Sequence, residues 1–167
     1  LDSWDLGTGA VDDGAGVAIT MEVLRRIHDS GLKPRRTIRL VLWGAEEVGL
    51  LGGYAYLDKH QATLRKHVIG TESDFGAGKI WKITRSISKD AEPVADKIAE
   101  LVEPLGIATG SNDARSSGPD LTPMNAMGFP GFRFVQDGSD YFDLHHTPDD
   151  TLDKIDPSAL DQNVAAY

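Results

Sequence analysis

The feature that most constrains the fold is an apolar run, TIRLVLWGA, which extends from Thr37 to Ala45 and contains three β-branched residues. A run of this kind is typical of a strand that is buried on both faces of a sheet. Before it, the segment AGVAITMEVLRRIH, from Ala15 to His28, places apolar residues at helical spacing. A buried strand that follows such a helix indicates a sheet covered by helices.

The alternation of helical and extended segments continues along the rest of the chain. Further strands are predicted at residues 66–74, 80–86 and 129–136, and further helices at residues 49–60, 91–106 and 157–167. Asp156 and Pro157 are typical of the N-cap and the first position of the closing helix. The pattern predicts the α/β class, as a three-layer α/β/α domain with a mixed, mostly parallel central sheet.

The composition narrows the chemistry that the chain can carry. Its 167 residues suit one domain, and 40% of them are hydrophobic, which is enough for a sizeable core. The net charge is -9 and no block of lysine and arginine stands out, so we expect neither nucleic acid nor membrane as a partner. Cysteine is absent, which excludes disulfides, thiolate metal ligands and a cysteine nucleophile.

Acidic and histidine residues form four patches, most of them at the ends of predicted strands. These patches are Asp12–Asp13, Glu46–Glu47, Glu72–Asp74 and His145–His146. In an open α/β sheet, ligands bind beyond the carboxyl ends of the strands, so we expect the patches to converge there. Converging carboxylates repel one another unless protons or cations neutralise them. Carboxylate and imidazole ligands without thiolate are typical of a catalytic zinc site, and the sequence therefore predicts a metal pair.

The ordered motifs resemble those of a known family. The chain reads Asp-Asp-Gly-x-Gly, then Glu-Glu-x-Gly-Leu-x-Gly, then Glu-Ser-Asp, then His-His-Thr-x-x-Asp-Thr. This order is similar to that of the co-catalytic di-zinc aminopeptidases of peptidase family M28, in the carboxypeptidase Q-like branch, and the likeness runs through almost the whole chain. It implies a phosphorylase/hydrolase-like fold, two Zn²⁺ ions and hydrolysis of peptide bonds near a chain terminus, as in an aminopeptidase or dipeptidase.

The resemblance also implies metal ligands. Asp12 is expected to bridge the two zinc ions, with a cis peptide bond to Asp13. Glu47 and His146 are expected to bind one metal, and Asp74 is expected to bind the other.

Three further residues receive roles in the reaction. Glu46 matches the general base that acts on a zinc-activated water. Asp2 matches the acid that orients the fifth metal ligand, a histidine expected directly before Leu1, where this sequence starts. His145 is either a solvated neighbour of a ligand or a donor to the oxyanion of the tetrahedral intermediate. The tripeptide GPD, residues 118–120, is either a simple turn or a loop beside the substrate.

These expectations concern a domain at residues 1–167 that is truncated at its N-terminus and at its C-terminus. Without the upstream histidine, the segment alone is expected to be inactive. The family implies a small peptide substrate and a secreted or periplasmic location. Two other readings stay open, namely a non-catalytic binding or receptor domain with the same fold, and a metallo-amidase or deacylase that acts on a non-peptide substrate.

Overall fold

The centre of the computed structural model, which describes residues 2–112 and 117–167, is a three-stranded mixed sheet. Strand β1 (Ile80–Ser86) lies between β2 (Ala108–Thr109) and β3 (Gly131–Gln136). The pairing of β1 with β2 is parallel, and the longer pairing of β1 with β3 is antiparallel. The α/β class and the mixed sheet are confirmed, although parallel pairs do not predominate among the described strands.

Helices flank this sheet along the chain. They are α1 (Ala15–Asp29), α2 (Leu51–His60), α3 (Glu92–Val102), α4 (Thr122–Asn125), α5 (Tyr141–Leu144) and α6 (Pro157–Ala166). Helix α6 begins as predicted, because Asp156 Oδ1 accepts a hydrogen bond from the amide of Ser158 at 2.8 Å. The four predicted helices are confirmed, whereas α4 and α5 are too short to produce a recognisable apolar period.

The buried core consists of two clusters of apolar side chains. One cluster joins the sheet to α3 and α6, and contains Ile80, Ile83, Ala95, Val102, Ile107, Phe132, Phe134 and Ala166. The other lies beneath α2 and α4, and contains Leu64, Leu121, Met124 and Phe129. The second cluster packs against Tyr56 and Leu57 of α2, the helix that directly follows the loop that carries Glu46 and Glu47.

Two of the predicted strands are wrong within the described residues. The segment 37–45 forms no strand and pairs with no described strand, and Ile38 and Leu42 are 49% and 43% exposed. In the segment 66–74, only Gly70 forms a bridge, with Gly131. Both segments line a cavity of about 1240 Å³. An apolar run indicates a tendency to be buried, but a strand also needs neighbours that satisfy its backbone groups.

No helix in the described ranges has both the length and the apolar character needed to cross a membrane.

Candidate metal centre

Three of the four predicted metal ligands meet in one place. Ligand atoms of Asp12, Glu47 and His146 all lie within 4.8 Å of one another. The Nε2 atom of His146 is 3.0 Å from Oδ2 of Asp12 and 2.9 Å from Oε2 of Glu47. Two carboxylates and one imidazole form a donor set that suits zinc, and the three side chains therefore fit the metal that the sequence predicts.

Asp12 is held in a buried turn at residues Ala10–Gly14. Its peptide bond to Asp13 is cis, as expected from the resemblance. The carboxylate of Asp150 accepts hydrogen bonds from the amides of Val11, at 2.5 Å, and Asp12, at 3.2 Å. The hydroxyl of Tyr141 donates to Oδ1 of Asp12 at 2.9 Å. The backbone and one side-chain oxygen of Asp12 are thus fixed by residues far away in the sequence.

Asp13 and Gly16 bring this turn against the segment that carries Asp74. Oδ1 of Asp13 accepts a hydrogen bond from the amide of Gly16 at 3.0 Å, in the first turn of α1. A Cβ atom on Gly16 would lie only 2.1 Å from the carbonyl oxygen of Ser73, so no larger residue fits without a backbone shift. Asp13 therefore caps the helix, and the glycine permits the close contact.

Glu46 and Glu47 lie in a tight loop before α2. Ala45 and Leu50 both adopt left-handed backbone angles, with φ of 56° and 59°. The carbonyl of Glu46 accepts a hydrogen bond from the amide of Leu50 at 2.9 Å, which closes the loop. The indole Nε1 of Trp4 donates to Oε2 of Glu47 at 2.9 Å. The Glu47 carboxylate thus contacts Trp4 and His146, whereas that of the neighbouring Glu46 takes part in neither contact.

Asp2, for which the sequence predicted an orienting role, contacts the backbone of the expected base. Its Oδ1 accepts a hydrogen bond from the amide of Glu46 at 2.9 Å. Burial, together with the charges of Glu47, Asp120, Asp12 and Asp2, raises the pKa of Glu46 to about 7. A carboxyl group that titrates near neutral pH suits a residue that must both accept and release a proton.

Asp74 lies beside the triad and is not part of it. Its ligand atoms are outside the group that falls within 4.8 Å. Burial, together with the charges of Asp12 and Glu46, raises its pKa to about 7. The charge interaction indicates that Asp74 lies near Asp12.

The two histidines are stacked but differ in their contacts. His146 has a left-handed backbone, with φ of 60°, and its ring centroid lies 4.2 Å from that of His145. The His145 ring stacks on Tyr141 at 4.6 Å. Its Nδ1 atom is buried and has no hydrogen-bond partner among the described residues. Only His146 reaches the carboxylates of the triad.

The structure adds four residues to those that the sequence assigned to the site. Trp4 donates a hydrogen bond to Glu47 and Tyr141 donates one to Asp12, while Asp150 accepts one from the Asp12 amide. The fourth residue, Asp120, is a buried acid whose charge raises the pKa of Glu46. Burial raises the pKa of Asp120 to about 6, while the amide of Gly53 in α2 opposes the rise. The GPD motif could have indicated Asp120, but a turn explains that tripeptide equally well.

The chain is similar along its whole length to known peptidases. The family model described as Peptidase family M28 matches residues 1–167. Carboxypeptidase Q of Rattus norvegicus is 39% identical over 166 residues, which cover 99% of this chain and 34% of that protein. Leupeptin-inactivating enzyme 1 of Streptomyces exfoliatus is 27% identical over 185 residues, which cover 99% of this chain and 42% of that protein.

Solved structures show the same likeness. The crystal structure of a peptidase M28 precursor from Shewanella amazonensis SB2B is 56% identical, with a TM-score of 0.95 over 99% of this chain and 37% of that chain. LapA of Legionella is 19% identical with a TM-score of 0.68, which shows a shared fold alone.

The fold and the site define an α/β protein with a cluster of carboxylates and a histidine that could hold a metal ion. The chain belongs to peptidase family M28, and the expected carboxypeptidase Q-like branch is confirmed. It spans about a third of the length of the carboxypeptidase Q relatives that it matches.

Proposed function

We propose that these residues form the catalytic part of a metal-dependent exopeptidase, an aminopeptidase or dipeptidase that acts on small peptides. The observation that carries the proposal is the meeting of Asp12, Glu47 and His146, with Glu46 directly before Glu47 in the chain. The peptidase relatives support the reaction class. Because the chain spans only about a third of the carboxypeptidase Q relatives, its substrate and products belong to the proposal.

In this proposal, each acidic residue and histidine of the site has a separate task. Asp12, Glu47 and His146 would hold one zinc ion, and Asp74 would help to hold a second. When bound, the zinc ions act as Lewis acids and lower the pKa of water, which is the chemistry that the side chains alone lack. The buried acids would otherwise repel one another, so bound cations also remove an electrostatic cost.

Glu46 carries the proton. It removes a proton from the attacking water while the C–O bond forms at the scissile carbonyl carbon. It then delivers that proton to the amide nitrogen as the C–N bond breaks, which releases an amine and a carboxylic acid that ionises in water. Asp2 fixes the Glu46 amide, and with it the start of the loop. His145 is the proposed donor to the developing oxyanion, through Nε2, because Nδ1 is buried.

The acidic surface and the family agree with a small peptide substrate and with a secreted or periplasmic location. A net charge of -9 disfavours association with nucleic acids and anionic membranes. Fractionation of the native cells, with antibody detection of the protein, tests the location. Detection in the cytosol alone would contradict it.

The function is tested by hydrolysis of aminoacyl-anilides and dipeptides by the longest natural polypeptide that carries these residues. We expect turnover that stops after chelation and returns with Zn²⁺. Matched substrates with an acetylated amino terminus distinguish a deacylase from an aminopeptidase. Turnover that persists in the chelator contradicts the proposed metal chemistry. Zinc binding without any hydrolysis favours a non-catalytic binding domain.

A further inference from the structure

One buried phenol outside the ligand set reaches the metal centre. Tyr141 begins α5, is only 8% exposed, and donates its hydroxyl hydrogen to Oδ1 of Asp12 at 2.9 Å. We propose that Tyr141 is a positioning residue, which fixes the Asp12 carboxylate in the orientation that binds metal. This inference rests on the proposed function only in taking Asp12 as a metal ligand.

The hydrogen bond restricts the one freedom that Asp12 retains. Its backbone is held by Asp150, which accepts from the Asp12 amide, so the remaining motion is rotation of the carboxylate. Tyr141 holds one oxygen, and the other faces Nε2 of His146 at 3.0 Å. A carboxylate oxygen has two lone pairs, so Oδ1 can accept the phenol hydrogen and still bind a cation.

The phenol is itself held tightly, which makes it an effective constraint. Its ring packs on Phe75, with centroids 4.5 Å apart, and edge-on against Phe142 at 5.2 Å. Gly76 approaches it so closely that an added Cβ would lie 3.0 Å from Cδ2 of Tyr141. Because the ring cannot swing, the position of the hydroxyl is set before metal binds.

The same ring also contacts His145, the first of the two adjacent histidines. His145 stacks on Tyr141 at 4.6 Å and 27°, and the ring of His145 lies 4.2 Å from that of His146. One side chain therefore reaches a carboxylate ligand by a hydrogen bond and an imidazole ligand through an intervening ring. Outer hydrogen-bond partners of this kind commonly change metal affinity by 10–100-fold.

A structural role and a positioning role predict different results for Tyr141→Phe. Phenylalanine keeps the contacts with Phe75, Phe142 and His145, and removes only the hydroxyl. A structural role predicts normal zinc binding by the variant. The positioning role predicts zinc binding that is weaker by about 10-fold or more, with a folded metal-free protein.

The experiment is zinc titration by calorimetry of the chain and of the longest natural polypeptide that carries it, with Co²⁺ absorption as a second readout. We expect Tyr141→Phe to lower the zinc affinity and to change the Co²⁺ spectrum. Tyr56→Phe is the matched control, because its hydroxyl is also hydrogen-bonded, to His67 at 2.8 Å. An unchanged affinity in Tyr141→Phe, or an equal loss in Tyr56→Phe, overturns the inference.

Two further results keep the test decisive. In an Asp12→Ala background, Tyr141→Phe should cause no additional loss of zinc affinity, and a full additional loss would mean that the tyrosine does not act through Asp12. Should Tyr141→Phe fail to fold, Phe75→Leu loosens the ring but keeps the hydroxyl, and unchanged zinc binding by this variant contradicts the inference. Wild-type zinc binding without peptide hydrolysis would remove the proposed function and leave the role of Tyr141 intact.

Discussion

The carboxylate of Asp150 accepts a hydrogen bond from the backbone amide of Asp12, which lies 138 residues earlier in the chain. The other oxygen of Asp150 accepts from the amide of Val11 at 2.5 Å, and its carbonyl accepts from the amide of Thr8 at 2.7 Å. Asp150 is buried, so water does not replace these bonds. One residue of the histidine motif thus fixes the turn that presents a metal ligand.

The first prediction concerns this buried carboxylate. Asp150→Asn keeps the size of the side chain but places an NH₂ group opposite a backbone N–H donor. We expect the free energy of unfolding to fall by about 1–3 kcal/mol, since one buried donor loses its acceptor. Urea unfolding measures the change, and Asp149→Asn at an exposed position is the control. Equal stability of the two variants would show that the buried contacts contribute little.

Glu46→Gln separates proton transfer from metal binding. Glutamine retains the shape of the side chain but cannot take a proton from water, so kcat should fall by about 10²–10⁴-fold. The zinc affinity should stay close to that of the unchanged protein, since Glu46 is not one of the three clustered ligands. Steady-state kinetics and zinc calorimetry measure the two quantities. Glu100→Gln, on the exposed side of α3, is the control. An active Glu46→Gln enzyme is incompatible with Glu46 as the base.

Trp4→Phe tests the donor on the other carboxylate ligand. The change removes the indole N–H that donates to Oε2 of Glu47 at 2.9 Å and keeps an aromatic ring beside His146. Zinc affinity is expected to fall by about 10-fold. Trp81→Phe is a matched control, because Trp4 and Trp81 are 51% and 50% exposed and Trp81 lies on β1. Equal zinc affinities of Trp4→Phe and Trp81→Phe would show that the hydrogen bond from Trp4 to Glu47 does not affect metal binding.

Local patterns predicted the elements that are fixed by near neighbours in the sequence. Helix α1 follows from its apolar spacing, β1 lies at the predicted residues, and Asp156 caps α6 as its sequence indicates. The strand predicted at residues 37–45 was wrong, because local hydrophobicity does not specify which strand would pair with the segment. The local pattern therefore indicates which segments are apolar, but it does not specify whether a distant strand pairs with them: β1 pairs with β3, whereas the segment 37–45 has no described partner.

In the candidate site, the sequence likewise predicted the ligand residues but not the residues that support them. Asp12, Glu47, Asp74 and His146 belong to motifs with recognisable spacing, and three of them meet in the structure. The supporting bonds join distant segments, since 129 residues separate Tyr141 from Asp12 and 43 separate Trp4 from Glu47. No local period marks such pairs, and an aromatic residue near a motif is as consistent with packing as with hydrogen bonding.

The final prediction concerns the stability of the metal-free protein. Burial raises the pKa of Asp13 to about 9, of Glu72 to about 8 and of Asp74 to about 7. In the unfolded chain these carboxyl groups lose their protons near pH 4. Between about pH 4 and pH 7 the folded state therefore binds more protons than the unfolded state, and its stability falls as the pH rises. Each retained proton changes the free energy of unfolding by about 1.4 kcal/mol per pH unit.

Urea unfolding of the metal-free protein at pH 5 and pH 7.5 should give a lower stability at the higher pH. The lowered pKa of His60 acts in the opposite direction, but one exposed histidine is outweighed by three buried acids. Glu72→Gln should reduce the loss, because the glutamine side chain gains no charge as the pH rises, and its single carbonyl oxygen can still accept from one of the two amides, of Asp120 or Leu121, that bond to the two oxygens of Glu72. Glu103→Gln, at an exposed site, should leave it unchanged. Stability that rises over this range would mean that the acids ionise freely in the fold, and that no cation is needed to bring them together.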